Sequence, residues 1–480
     1  MHNLILKAIC LILILFTING CSTTNYDNHD IIQIQINDDK NNCLNKSYNE
    51  GGFDIRLHQI YIDKRGYLVD PYCRNLITDD DTEKNKDKYV DNILANFSKQ
   101  DKKTLTIFIH GGLNTFNGAN RKIKKVAEKM LEDGTYPLFI SWDAGGPSNY
   151  IDHLTRLRSG KRVSPVSGII SAPFVLLEDV LRSIATFPAS TYHTLTDKSG
   201  WFQERFSQEK INAKNAVEVL RRDGTFNIND NSNNEKAKEE QLITRLNPVK
   251  LISSPFIDAM GKGTWDSLLR RTDLVLSNPT EGSADEKNGY DTAVIKFLDK
   301  FSTKFPQHSI NLIGHSMGTI VANSILLRYP NMKFQNIIYM AAACSLKDLE
   351  HAVNPYLNRN INKDTKFYNL SLHPYRDIRE NHFYDFVPRG SLLVWIDQKF
   401  GYINSFKDRT AGFWYNIATY ANDIFKNDMS EKNRTEEVDI RKNVYLTKFD
   451  LNSGPMKHGD FDEYKFWDKH FWEGIPIKIE

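Results

Sequence analysis

Cysteine is scarce in this chain of 480 residues: there are five, none in a CxxC pair and none clustered with histidine at zinc-ligand spacing. A metal site is therefore not expected, and nothing else in the sequence calls for a cofactor. Charge of one sign is also lacking, since 62 Lys and Arg stand against 60 Asp and Glu. No basic block interleaved with aromatics occurs, so nucleic acid is not an expected partner. Apolar runs long enough to cross a bilayer, about 20 residues, are missing. Internal repeats are missing too, which leaves no ground for a repeat array. What remains is a globular composition, 11% aromatic, with length for two or three units at about 150 residues each.

The first residues read as a targeting segment. Lys7 precedes an apolar run from Ala8 to Ile18, too short to span a membrane and suited to a secretory signal. The run ends at Ile18-Asn19-Gly20-Cys21, which resembles the lipobox of bacterial lipoproteins. That resemblance implies lipidation of Cys21, which becomes the new N-terminus, and anchoring in the cell envelope. Ser22 then favours the outer membrane, with the protein facing the periplasm. The alternative is an ordinary signal peptide cut near Gly20. Residues 21–50, rich in Asn, Asp and Thr, read as a flexible tether. Cys43 and Cys73 either pair in an oxidising periplasm or leave Cys43 free in the tether. Cys344, in IIYMAAACSL, reads as a small buried residue.

Beyond the tether, strand and helix patterns alternate. FDIRLHQIYIDKRGYLVD fits a hairpin turning at Lys64-Arg65-Gly66. A helix over about 87–99 leads to the strand TLTIFI. A helix over 120–132 and the strand YPLFISWD come next. The alternation then stops. Residues 144–287 show helical patterns, Gly and Pro punctuation and the polar stretch RRDGTFNINDNSNNEKAKEE, read as a mobile loop, but no clear buried strand. From residue 288 the alternation resumes, with strands at SINLIG, QNIIYMAAAC, KFYNLSL and NVYLTKF and a last helix at DFDEYKFWDKHFW. The expected organisation is a core in two parts, 51–143 and 288–480, interrupted by a mainly helical insertion at 144–287. Strands separated by helices call for a mostly parallel sheet.

Gly314-His315-Ser316-Met317-Gly318 sits between a strand pattern and a helix pattern. A serine hydroxyl is a weak nucleophile and needs a base. A G-x-S-x-G turn presents it where the backbone packs closely. His315, beside the serine, is expected to serve the structure or the pocket and not to act as the base. Acyl transfer also needs N–H donors for an oxyanion. The Met317 amide is one candidate, and Gly112, in the His110-Gly111-Gly112 loop after TLTIFI, supplies the other.

These stretches resemble the α/β-hydrolase superfamily, lipase- or esterase-like, over roughly residues 53–143 and 288–475. The resemblance implies a mostly parallel sheet flanked by helices and a triad in the order serine, acid, histidine. The base then follows the last strand, which points to His458. The acid follows KFYNLSL, where Asp377 is preferred and Asp385 is the rival. The implied activity is ester hydrolysis through an acyl-enzyme on a lipid or other acyl ester. The alternative is a non-catalytic envelope lipoprotein that keeps the fold as a binding or assembly module.

Within the insertion, Ile170, Phe174, Leu177, Leu181 and Ile184 fall on one helix face. That face either meets lipid or an acyl chain, or packs on the core. Trp265, Leu268 and Leu269 read as a core stripe. Arg270 and Arg271 read as surface residues, with an anion as their alternative partner.

Overall fold

Short apolar, β-branched segments assemble into one nine-stranded sheet. The computed structural model describes residues 53–479, except 65, 73–81, 113–115, 159–160, 163, 197–203, 231–247, 278–290, 381–388, 402 and 428–438. Cys21, Cys43, Cys73 and Asp385 lie outside the described residues, as does the targeting segment.

The strands are β1 (Gln59–Ile62), β2 (Leu68–Val69), β3 (Thr104–Ile109), β4 (Thr135–Trp142), the small hairpin β5–β6 (Leu157–Arg158, Lys161–Arg162), β7 (Asn227–Asp230), β8 (Ser309–His315), β9 (Asn336–Met340), β10 (Lys366–Ser371) and β11 (Val444–Lys448). Their order in the main sheet is β2-β1-β4-β3-β8-β9-β10-β11-β7. Within that sheet only β1 and β2 pair antiparallel, across a turn where Gly66 takes φ +91°. All other neighbours in the main sheet are parallel. Parallel sheets are covered on both faces, so their central strands are apolar throughout. Leu105, Ile107, Ile109, Leu312 and Ile313 are accordingly fully buried.

The helices are α1 (Thr82–Lys99), α2 (Phe116–Glu132), α3 (Gly146–Thr155), α4 (Pro165–Thr196), α5 (Glu204–Asp223), α6 (Pro248–Leu274), α7 (Ala293–Lys304), α8 (Gly318–Arg328), α9 (Pro374–Arg379) and α10 (Trp414–Ile424). α1 and α7 meet through edge-to-face contacts of Phe97 with Phe301 and Phe305. Lys300 adds ion pairs to Asp87 and Asp91 at the rim.

Three expectations need correction. The polar stretch contains β7, which joins β11 as the far edge of the main sheet. Phe226 plugs the core beside it, and polar partners hold the strand itself: Lys448 pairs with Asp230 at 2.8 Å, and Asn227 donates to the Lys442 carbonyl. An edge strand tolerates such polarity because one side faces solvent. The C-terminal segment is not one helix but a 3-10 turn at Asp460–Glu463 and a short helix at Lys469–Trp472. Phe461, Tyr464, Phe466, Trp467, Phe471 and Trp472 are all buried, more positions than one helix face can hide. Third, Arg271 is buried, and its guanidinium reaches the Asp152 carboxylate and the Asp143 carbonyl oxygen. It ties α6 to α3 and to the end of β4.

Candidate active site

β8 ends at His315 and α8 begins at Gly318, leaving a two-residue turn of Ser316 and Met317. Ser316 takes φ +53°, a left-handed conformation costing a non-glycine residue about 1–2 kcal/mol. The neighbourhood holds it there. The Ser316 amide donates to the Met340 carbonyl at 2.9 Å, and its own carbonyl accepts from the Ala343 and Thr319 amides and the Thr319 hydroxyl. A side chain at Gly318 would collide with the Ile109 carbonyl at the end of β3. The turn can therefore press against the neighbouring strand only because position 318 has no Cβ.

His458 lies beyond β11, on a loop shaped by its own amides: Met456 and Lys457 both donate to the Asp460 carboxylate. Its ring meets the serine, with Ser316 Oγ 2.7 Å from His458 Nε2. Both backbone groups of His458 are also held. Its N–H donates to Glu380 Oε2 at 2.9 Å, and its carbonyl oxygen lies 2.9 Å from His315 Nε2, which donates. His315 thus steadies the histidine loop and does not face the serine hydroxyl as a base. Ser316 and His458 are both buried.

The loop after β3 runs alongside. A Cβ on Gly111 would stand 2.8 Å from Ser316 Cβ, and one on Gly112 would meet the Met317 side chain. His110 fixes this loop: the Trp142 amide donates to His110 Nε2 at 3.0 Å, which leaves the ring proton on Nδ1 to bond the Gly111 carbonyl at 2.6 Å. The imidazole also stacks on Trp142. Gly111 C=O and Gly112 N–H share one planar trans peptide and point opposite ways. Holding the carbonyl therefore sets the amide.

Residues 256–374, which carry the nucleophile turn and β8–β10, match the family described as Serine aminopeptidase, S33. The chain has an α/β-hydrolase fold. No curated protein and no solved structure gives a significant match.

In an α/β-hydrolase the third member of a triad follows the strand after β9, here α9. Asp377 is there, fully buried, and neither of its carboxylate oxygens has a hydrogen-bond partner among the described residues. Burial drives its pKa well above the usual carboxylate range; the nearby Ser391 hydroxyl pulls the other way, and Glu380 and Asp397 add to the rise. Glu380, which caps α9, is a carboxylate that touches His458, through the backbone. Burial raises it to about 7 against the hydrogen bond from His458. Glu380 carries no sequence pattern of its own; its one signal is its place three residues beyond Asp377.

Helix α6 borders this site: Leu268 stands 3.9 Å from where a Gly112 side chain would begin, and Trp265 and Leu268 are buried in the core. Cys344 is buried beneath β9, with its thiol pushed up to about 12 by burial. Among the described residues no cluster of His, Cys, Asp and Glu could hold a metal ion.

Proposed function

We propose that the chain is a serine hydrolase acting on carboxylic esters, anchored to a bacterial envelope through Cys21. The observation that carries the catalytic reading is the 2.7 Å approach of Ser316 Oγ to His458 Nε2 on a strained strand-to-helix turn. Ser316 attacks the acyl carbonyl as His458 takes the hydroxyl proton. The oxyanion is met by the Met317 amide, at the start of α8 where the first N–H groups lack helical acceptors, and by the Gly112 amide, oriented through His110. His458 then protonates the leaving alcohol. Water, activated by the same imidazole, releases the acyl group and regenerates Ser316.

The acid is assigned to Asp377, with Asp385 the rival. A carboxylate in that role would orient the His458 ring and stabilise the imidazolium that forms during acyl transfer.

A second substrate class follows from the matched family, whose description names an aminopeptidase. Amide hydrolysis would use the same groups. The test is a panel of p-nitrophenyl esters of rising chain length beside aminoacyl p-nitroanilides, run on wild type and on Ser316→Ala, Asp377→Asn and Asp385→Asn. Ester turnover is expected to fall at least about a thousandfold in Ser316→Ala and in the acid variant, and to exceed anilide turnover in wild type. Anilide turnover above ester turnover would move the assignment to peptide bonds. Ester turnover that survives Ser316→Ala would defeat it.

A further inference from the structure

Helix α4 turns one apolar face outward. Val166, Ile170, Phe174, Leu177, Leu181 and Ile184 are each 54% to 71% exposed. At 100° per residue they occupy a stripe about 80° wide and about 27 Å long. The opposite side faces the protein, where Asp179 is buried, accepts from the Tyr150 hydroxyl and lies 3.3 Å from His153 Nε2 of α3. The helix is thus seated by the side that carries Asp179, with Val175 and Leu176 half-buried beside it, and the stripe is not the core-packing face that was one of its two expected roles.

We propose that this stripe lies in the surface of an anionic phospholipid bilayer, parallel to its plane. Two observations select lipid over a protein partner. The stripe contains only aliphatic side chains and phenylalanine, with none of the Tyr, Trp or Arg that anchor protein interfaces. Arg158, Lys161 and Arg162 of the β5–β6 hairpin stand just before α4, and no acidic residue occurs between Asp152 and Glu178. That pairing of a basic end with an apolar face complements lipid headgroups and acyl chains. No helix among the described residues is long and apolar enough to cross a membrane, so an in-plane seat is the one open to α4. The proposed anchor at Cys21 would hold the body near the same bilayer, but the stripe and the basic hairpin do not depend on it.

The test reads α4 itself and not the N-terminal segment. In the full chain, Cys10, Cys21, Cys43 and Cys73 are replaced by serine, Cys344 being buried. A nitroxide is placed at Phe174→Cys, Leu181→Cys or, as the control beside the stripe, Arg182→Cys. Oxygen accessibility is measured with and without vesicles of phosphatidylcholine containing phosphatidylglycerol. Positions 174 and 181 are expected to gain at least about threefold with vesicles while position 182 stays water-like. Arg158→Glu with Lys161→Glu should remove most of that gain. Equal, water-like values at all three positions with vesicles would overturn the proposal. So would positions 174 and 181 already shielded without vesicles, which would mean that a second copy or another part of the chain covers the stripe.

Discussion

His458 owes its place to two side chains that grip its backbone. Glu380 takes the amide and His315 holds the carbonyl, so the ring is set by its peptide as well as by the serine it meets. Glu380 makes that grip sensitive to pH. Its folded pKa, about 7, stands above the ordinary 4.5 because burial penalises the ionised form. The folded chain therefore binds more protons than the unfolded one between these values. Stability from this group is fully present below pH 4.5 and is lost as pH rises through 7. The cost above pH 7 is about 3 kcal/mol. Glu380→Gln keeps an acceptor for the His458 amide without the titration. Urea unfolding from pH 4.5 to 8 should show the variant gaining up to about 3 kcal/mol relative to wild type at the alkaline end. A pH-independent difference would contradict it. Ser316 and His458 were legible as residues because the first sits in a five-residue pattern and the second in a loop after the last strand. Glu380 was not, since its role depends on which carboxylate folding brings to a backbone amide.

At the scale of elements, the strand-to-helix turn works by contact. Gly318 lets the start of α8 rest on the end of β3, and Gly111 does the same for the facing loop. Gly318→Ala must push the turn away from the Ile109 carbonyl. It is expected to lose about 3 kcal/mol in chemical unfolding, together with ester turnover. Full stability in that variant would mean the turn can move freely, contrary to this account. The alternation of strands and helices was legible because buried parallel strands carry unbroken apolar runs. β7 escaped because an edge strand held by Asn and Lys partners has no such run. The C-terminal segment misled for the opposite reason: its aromatic residues are buried on every side, so spacing alone suggested a helix where the chain forms separate turns. The stripe on α4 was visible as a stripe, but a period cannot say whether a face points inward or outward.

Across the whole molecule, the elements between β4 and α7 are tied into the core: β7 is the sheet's last strand, and α6 is clasped through Arg271, a buried cation. Burial alone would raise the Asp152 pKa, but Arg271, Lys64 and Arg156 around it bring it below the usual carboxylate value. Arg271→Ala would strand that carboxylate and is expected to cost about 3–5 kcal/mol in thermal or urea unfolding. Arg271→Met combined with Asp152→Leu should recover most of the loss, because an apolar pair needs no desolvated charge. No recovery would show that the clasp acts through more than its charge.

The central claim is that folding activates Ser316. Its most direct measurement is intact-mass detection of fluorophosphonate labelling, which needs no knowledge of the substrate. Wild type is expected to gain one adduct, and Ser316→Ala and His458→Ala none. A folded wild-type chain that stays unlabelled, in buffer and with detergent present, would contradict the account and leave the fold as a binding module.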